Sequence, residues 1–124
     1  MPRILLADDH LAQLTLWSAV LEAAGHHMDA AISAADALSR LERRAVDLVI
    51  MDLRFPNPAG EPDSAEGLAL IRGIRGSGCG VPIVVLSGWP EDLYGRPEER
   101  LVSRVMVKPV AAAELLEAVR ELAG

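Results

Sequence analysis

Residues 47–56 read DLVIMDLRFP, and the succession of residue types in this stretch decides the fold. Val46 to Met51 is a nearly continuous apolar run of strand length that stops at Asp52. Apolar residues at successive rather than alternate positions suit a strand covered on both faces, as in parallel sheets flanked by helices. The spacing therefore predicts a central strand. Three further runs share the form: Ile4 to Ala7 ends in Asp8-Asp9, Ile83 to Leu86 in Ser87, and Val105 to Val107 in Lys108-Pro109. If the four are neighbouring parallel strands, their polar ends meet at one edge of the sheet, where open α/β folds place their ligands.

Helices fill the gaps between the runs. Leu11, Leu14, Ser18 and Leu21 fall on one helical face, in a segment ending near Gly25, the place of a C-cap glycine. Met28 to Ile32 is a second strand, and Ser33 is placed to cap a helix carrying Ala37, Leu38 and Leu41. Residues 56–66, PNPAGEPDSAE, are expected to form a loop suited to neither helix nor ladder. Leu68, Leu70, Ile71 and Ile74 mark a third helix, expected to fray through Gly73, Gly76, Gly78 and Gly80 before the strand from Val81 to Leu86. Between Gly88 and Ser103, Pro90, Gly95 and Pro97 leave room for at most about two helical turns, near Glu98 to Val102. Ala111 to Leu122 closes the chain as an amphipathic helix carrying Leu115, Leu116, Val119 and Leu122. Strand and helix alternate five times, with the fourth helix short or irregular. The expected fold class is α/β: a doubly wound, five-stranded parallel sheet with helices on both faces, one domain over residues 1–124.

Composition excludes several functions. The net charge of -6 offers no general attraction for nucleic-acid phosphates, so direct nucleic-acid binding is not expected. No apolar stretch is long enough to span a bilayer, and the N-terminal run is too short for a secretory signal, so a cytoplasmic protein without membrane contact is expected. Cys79 is the single cysteine and is read as an ordinary thiol. His10 follows the acid pair and could approach the pocket, but is expected to be solvated at the start of the first helix, and His26 and His27 have no metal-ligand spacing to a third donor. None of the three is assigned a role.

With ILLADDH, DLVIMDLRFP, VPIVVLSG and VMVKP following one another in this order, the whole chain resembles the receiver domain of two-component response regulators, the flavodoxin-like module of the CheY-like superfamily, and looks like a stand-alone receiver. The resemblance implies that Asp52 accepts a phosphoryl group from a sensor histidine kinase or a phosphotransfer protein. A carboxylate is a weak nucleophile facing a negatively charged electrophile, so such a site has to supply positive charge. By resemblance, Mg²⁺ is the cofactor: Asp9 is a direct ligand, Asp8 acts through water, and Asp52 and the backbone carbonyl of Arg54 supply further oxygens. Ser87 and Lys108 are implied to engage the phosphoryl oxygens, and the Lys108-Pro109 bond to be cis. The family is a signalling switch with autophosphorylation and slow autodephosphorylation, not a turnover enzyme, and it passes its state to a downstream effector protein.

Taken singly, each residue has another reading. Asp8-Asp9 can cap the first helix, Asp52 can be a loop acid, Ser87 carries little information, and Lys108 can be a surface lysine. It is their joint order and spacing that favour the site. The chain also departs from the receiver pattern. The loop after Asp52 is roughly seven residues longer than usual before the glycine matched by Gly67, a length surface loops tolerate. Glu61, Asp63 and Glu66 are expected where they can add negative charge to the pocket. Val105 stands where the family carries a switching aromatic, and a valine has no ring to swing. Together with the interrupted fourth helix, this predicts a nonstandard output face involving Trp89, Tyr94 or the short helix after Pro97. Trp17 is expected to pack partly into the core, and Trp89 either to cover the pocket or to stand as a half-exposed loop aromatic.

A second reading keeps the fold and the site residues but makes the protein a phosphorylation-independent interaction module with an atypical output face. A flavin binder is disfavoured because the loop after the first strand is not rich in Ser, Thr and Gly. An aspartate-nucleophile phosphatase is disfavoured because Arg54, not an acid, stands two residues after Asp52.

Overall fold

The computed structural model describes residues 2–123; Met1 and Gly124, the ends of the expected 1–124 unit, lie outside the described residues. Five strands form one parallel sheet: β1 (Arg3–Ala7), β2 (His27–Ala31), β3 (Leu48–Met51), β6 (Ile83–Ser87) and β7 (Arg104–Val107), in the order β2-β1-β3-β6-β7. The register aligns Ala7 with Met51, Met51 with Val85, and Ser87 with Val107. The polar residues following these positions therefore emerge together at one edge. From β1 the chain runs to β2 on one side and then to β3 on the other, so this edge includes the switch point of the strand order.

Strand alternation sorts the core into two layers. Leu5, Ala7, Val49, Met51, Ile83 and Val85 face α2 (Ala34–Arg43) and α3 (Ser64–Gly76), meeting Ala37, Leu70, Ile71 and Ile74. Ile4, Leu6, Leu48, Ile50, Val84 and Leu86 face α1 (Leu11–Ala23) and α4 (Ala112–Ala123), meeting Leu14, Trp17, Leu21, Leu115 and Val119. Two-sided burial of β3 and β6 explains why β3, and β6 up to Leu86, are apolar at every position. No described helix is long and apolar enough to cross a membrane.

Several expectations are refined. Leu11 is 68% exposed, because the buried stripe of α1 runs through Leu14, Trp17 and Leu21 and leaves Leu11 at the open first turn. Ser33 caps α2 as expected, its Oγ accepting from the Asp36 N–H at 3.0 Å. Gly25 follows α1 at φ 98°, the left-handed conformation that ends a helix.

The expected 56–66 loop instead contains a two-stranded antiparallel ribbon, β4 (Phe55–Pro56) with β5 (Pro62–Asp63). Asn57 makes it possible. Its Oδ1 accepts from the N–H groups of Ala59 and Glu61 at 2.9 and 3.0 Å, and Gly60 supplies the positive φ of 81° at the tip. A two-residue ladder tolerates the prolines because it needs few backbone donors.

Helix α3 does not fray at Gly73 but runs on to Gly76. A Cβ on Gly73 would lie 3.1 Å from both methyl carbons of Leu38, so the missing side chain lets α3 approach α2 closely. The short, irregular fourth helix expected after Pro97 is present as a 3₁₀ helix in place of α-helix. Residues 88–103 hold two 3₁₀ turns, Pro90–Asp92 and Pro97–Leu101, each opened by a proline, and no α-helix. The fifth α-helix expected from the sequence is thus the fourth observed.

The second 3₁₀ turn is fastened to α3. Arg72 pairs with Glu98, which is only 7% exposed, and Arg75 donates to the Leu101 carbonyl through Nε and Nη2 at 3.0 and 2.8 Å. The Arg72 contact, reinforced by a backbone hydrogen bond, lowers the Glu98 pKa despite its burial.

Candidate functional site

Strands β1, β3, β6 and β7 each deliver a polar side chain to the edge their sequences predict. Ligand atoms of Asp8, Asp9, His10 and Asp52 all lie within 4.8 Å of one another. Asp8 and Asp52 are buried. Asp52 Oδ1 accepts from the Leu53 N–H at 2.7 Å and the Arg54 N–H at 3.3 Å, which fixes the carboxylate against the start of its own loop. Lys108 Nζ donates to Asp52 Oδ2 at 3.0 Å and lies 3.6 Å from Asp8 Oδ2. One ammonium thus faces two buried carboxylates, with the cis Lys108-Pro109 bond immediately following it. Ser87 is fully buried at the end of β6, its Oγ accepting from the Trp89 N–H at 3.0 Å.

The structure brings together the sequence-predicted side chains of Asp8, Asp9, Asp52 and Lys108 and sets Ser87 at the end of the neighbouring strand. Arg54, named for its backbone carbonyl, also uses its side chain. Its Nε donates to Asp92 Oδ2 at 2.8 Å, and its guanidinium carbon stands 3.9 Å from the centroid of the Trp89 ring. The Asp92 hydrogen bond, with the charges of Asp92, Glu91 and Asp52, raises the Arg54 pKa. Trp89 is 49% exposed and lies under this guanidinium.

Asp63 is a correction. Its carboxylate does not join the acidic cluster; Oδ1 accepts from the Ala65 N–H at 2.9 Å, capping α3, and Oδ2 accepts from Asn57 Nδ2 at 3.3 Å. Those two hydrogen bonds lower its pKa. The reason is local: a loop acid beside a helix start finds backbone N–H donors before it finds a distant pocket.

His10 is solvent-exposed at the start of α1, as expected, but its ring also lies against the acid pair. Its Nδ1 is 3.1 Å from Asp8 Oδ1 and 3.3 Å from Asp9 Oδ1. Asp8 Oδ1 also accepts the His10 backbone N–H at 2.9 Å, and this turn folds the residue back toward the acid pair. Adjacency to Asp8-Asp9 was the available sequence signal. Nothing in the sequence marked the Arg54, Trp89 and Asp92 contacts.

The acidic cluster suits a hard divalent cation. Three carboxylates converge, and Asp9 Oδ1 is buried without a hydrogen-bond donor.

Comparison with known proteins gives the same assignment. Residues 4–120 match the family model described as response regulator receiver domain. The sensory/regulatory protein RpfC of Xanthomonas campestris is 35% identical over 125 residues, covering 98% of this chain but only 16% of that protein. The virulence transcriptional regulatory protein PhoP of Salmonella typhimurium is 34% identical over 94 residues, covering 73% of this chain and 39% of that protein. Among solved structures, the response regulator TrrA of Thermotoga maritima, in complex with Mg²⁺ and BeF, is 26% identical with a TM-score of 0.85, covering 98% of this chain and 99% of that one. A CheY-like receiver domain from Methylobacillus flagellatus is 27% identical with a TM-score of 0.84, covering 98% of both chains. With its strand order, its acidic cluster and a family match over most of its length, the chain belongs to the response regulator receiver domain family.

Proposed function

We propose that residues 1–124 act as one receiver unit that accepts a phosphoryl group on Asp52 from a sensor histidine kinase or a phosphotransfer protein. The observation that carries this reading is the buried Asp52 carboxylate, 3.0 Å from Lys108 Nζ and clustered with Asp8 and Asp9. An Asp52 oxygen forms the new bond to phosphorus as the bond from phosphorus to the donor atom breaks, and the donor keeps that electron pair. Lys108 neutralises charge gathering on the phosphoryl oxygens, and the Ser87 hydroxyl donates to one of them. Asp9, Asp52 and the Arg54 carbonyl would hold Mg²⁺, with Asp8 acting through water. The bound ion supplies the positive charge that a single lysine does not. TrrA in its Mg²⁺ and BeF complex is a structural relative that supports this assignment.

The product is an acyl phosphate on Asp52, hydrolysed slowly, so the protein works as a switch, not as a turnover enzyme. Its cellular place in this reading is the cytoplasm, its receiver of information a downstream effector protein, and it needs neither nucleic acid nor a membrane. The output face is nonstandard. Val105 sits in β7 between core and surface, and 3₁₀ turns replace the fourth helix, so the reading surface is the segment carrying Trp89 and Tyr94. The same departure favours the second reading, a module whose altered face binds its partner without phosphorylation.

Intact-mass measurement after incubation with Mg²⁺ and a small phosphoryl donor tests the proposal. One added phosphoryl group, dependent on Mg²⁺ and absent in Asp52→Asn, is expected. No addition from a small donor or from a panel of histidine kinases would favour the phosphorylation-independent module.

A further inference from the structure

The acidic cluster contains a donor that is not a carboxylate. His10 places Nδ1 within 3.1 Å of Asp8 Oδ1 and 3.3 Å of Asp9 Oδ1, and its ligand atom falls in the same 4.8 Å set as those of Asp8, Asp9 and Asp52. The placement has a local cause. Asp8 Oδ1 accepts the His10 N–H, so the backbone turns just before α1 and the ring returns over the acids. At 66% exposure the ring is not held by core packing, so its position comes from the acid pair itself. Asp9 Oδ1 is buried and makes no hydrogen bond, although His10 Nδ1 stands 3.3 Å from it.

We infer that His10 is a cation ligand of this site, and that the pocket therefore prefers divalent cations that accept imidazole, such as Zn²⁺ and Co²⁺, over Mg²⁺. The inference rests on the cation-binding reading of Asp8, Asp9 and Asp52 given above and adds to it a donor and a selectivity. Mg²⁺ favours oxygen ligands and gives up water reluctantly, so an imidazole within reach adds little to its binding. First-row transition ions gain from a nitrogen donor, so the same imidazole widens the gap between them and Mg²⁺. Four donors within 4.8 Å of one another are close enough to share one ion. The consequence is a receiver whose site is occupied according to which divalent ions are present.

The test uses the whole chain and the metals alone. Dissociation constants for Mg²⁺, Co²⁺ and Zn²⁺ are measured by calorimetry for wild type, His10→Ala and Asp52→Asn. Imidazole ¹⁵N shifts of His10, His26 and His27 are followed by NMR on adding Zn²⁺. The expected result is a Zn²⁺-over-Mg²⁺ preference that falls roughly tenfold or more in His10→Ala, with Mg²⁺ binding little changed. A selective shift at His10 Nδ1, lost in Asp52→Asn, should accompany it. Equal preference in wild type and His10→Ala, with no His10 shift, would overturn the inference while leaving a Mg²⁺ site on the carboxylates intact. Absence of any Asp52-dependent cation binding would overturn both this inference and the reading on which it rests. His10→Gln, which keeps a polar side chain, guards against loss of binding through misfolding and should also lose the preference.

Discussion

Arg54 Nε donates to Asp92 Oδ2 at 2.8 Å, joining the loop that follows the Asp52 strand to the 3₁₀ turn that follows Ser87, across 38 residues of sequence. The Trp89 ring lies against the same guanidinium. Both loops are also tied by backbone N–H groups to the site, through Arg54 to Asp52 and through Trp89 to Ser87. A change at either side chain therefore reaches the bridge directly.

Loosening this bridge should open the pocket to small donors. Asp92→Asn removes the anionic partner, and phosphorylation by a small-molecule donor is expected to accelerate about two- to fivefold, a modest gain in keeping with a partly exposed ion pair. In a Trp17→Phe background, where Trp89 is the remaining tryptophan, Arg54→Ala should also shift the emission to the red. An unchanged rate and spectrum would rule out a covering role for Trp89.

Lys108 balances two buried acids, and its loss should be costly without a cation. Lys108→Met leaves Asp8 and Asp52 without their ammonium and is expected to lower Tm in chelator by several degrees. Divalent cation should then raise Tm more in the variant than in wild type, because binding to the folded state alone is stabilising. Thermal unfolding with and without Mg²⁺ measures the difference.

Gly67 donates its N–H to the Leu53 carbonyl at 3.0 Å, and a Cβ at this position would overlap that carbonyl oxygen. Gly67→Ala should therefore destabilise the fold by about 2–4 kcal/mol in urea unfolding. Because Leu53 follows Asp52 directly and donates to its Oδ1, Mg²⁺ affinity should also fall. The corresponding change at Gly76, where a Cβ meets nothing within 4 Å, is the control for helix propensity alone.

Glu98 titrates below its ordinary value of 4.5 because Arg72 favours its charged form. A lowered folded-state pKa contributes stability that is fully present above the unfolded value and lost as pH falls through the folded one. Glu98→Gln is thus expected to cost about 1–2 kcal/mol at neutral pH, and the difference from wild type should shrink as the pH drops below 4.5. Urea unfolding at several pH values checks this. A constant difference would mean that shape, not charge, makes the contact.

The parts of this molecule legible in its sequence are those governed by one strong local rule. LVIM and IVVL read as buried strands because parallel strands covered on both faces are apolar, Asp52 and Ser87 were placed by where those runs stop, and Lys108 by the end of the shorter run Val105 to Val107. Ser33 was legible as a cap for the same reason. The ribbon at Phe55–Asp63 was not, since its three prolines mask a turn that Asn57 builds through its own side chain. Gly73 looked like a helix end because the sequence does not show that Leu38 occupies the space beside it. The Arg54 bridge lies in contacts between distant segments, and no periodicity records those.

Where an ordinary helix would carry one continuous ladder, residues 88–103 hold two short turns, with bonds from Asp92 to Trp89, from Leu93 and Tyr94 to Pro90, from Arg96 to Leu93 and from Glu99 to Arg96. Turns this short open without the cooperativity of a long helix. Amide protons here should exchange with solvent long before those of β3 and β6, through openings that leave the sheet whole. A signal arriving at Ser87 then has no rigid rod to tilt. On the function proposed above, it would instead change how often this stretch is ordered, and a partner would sense that frequency.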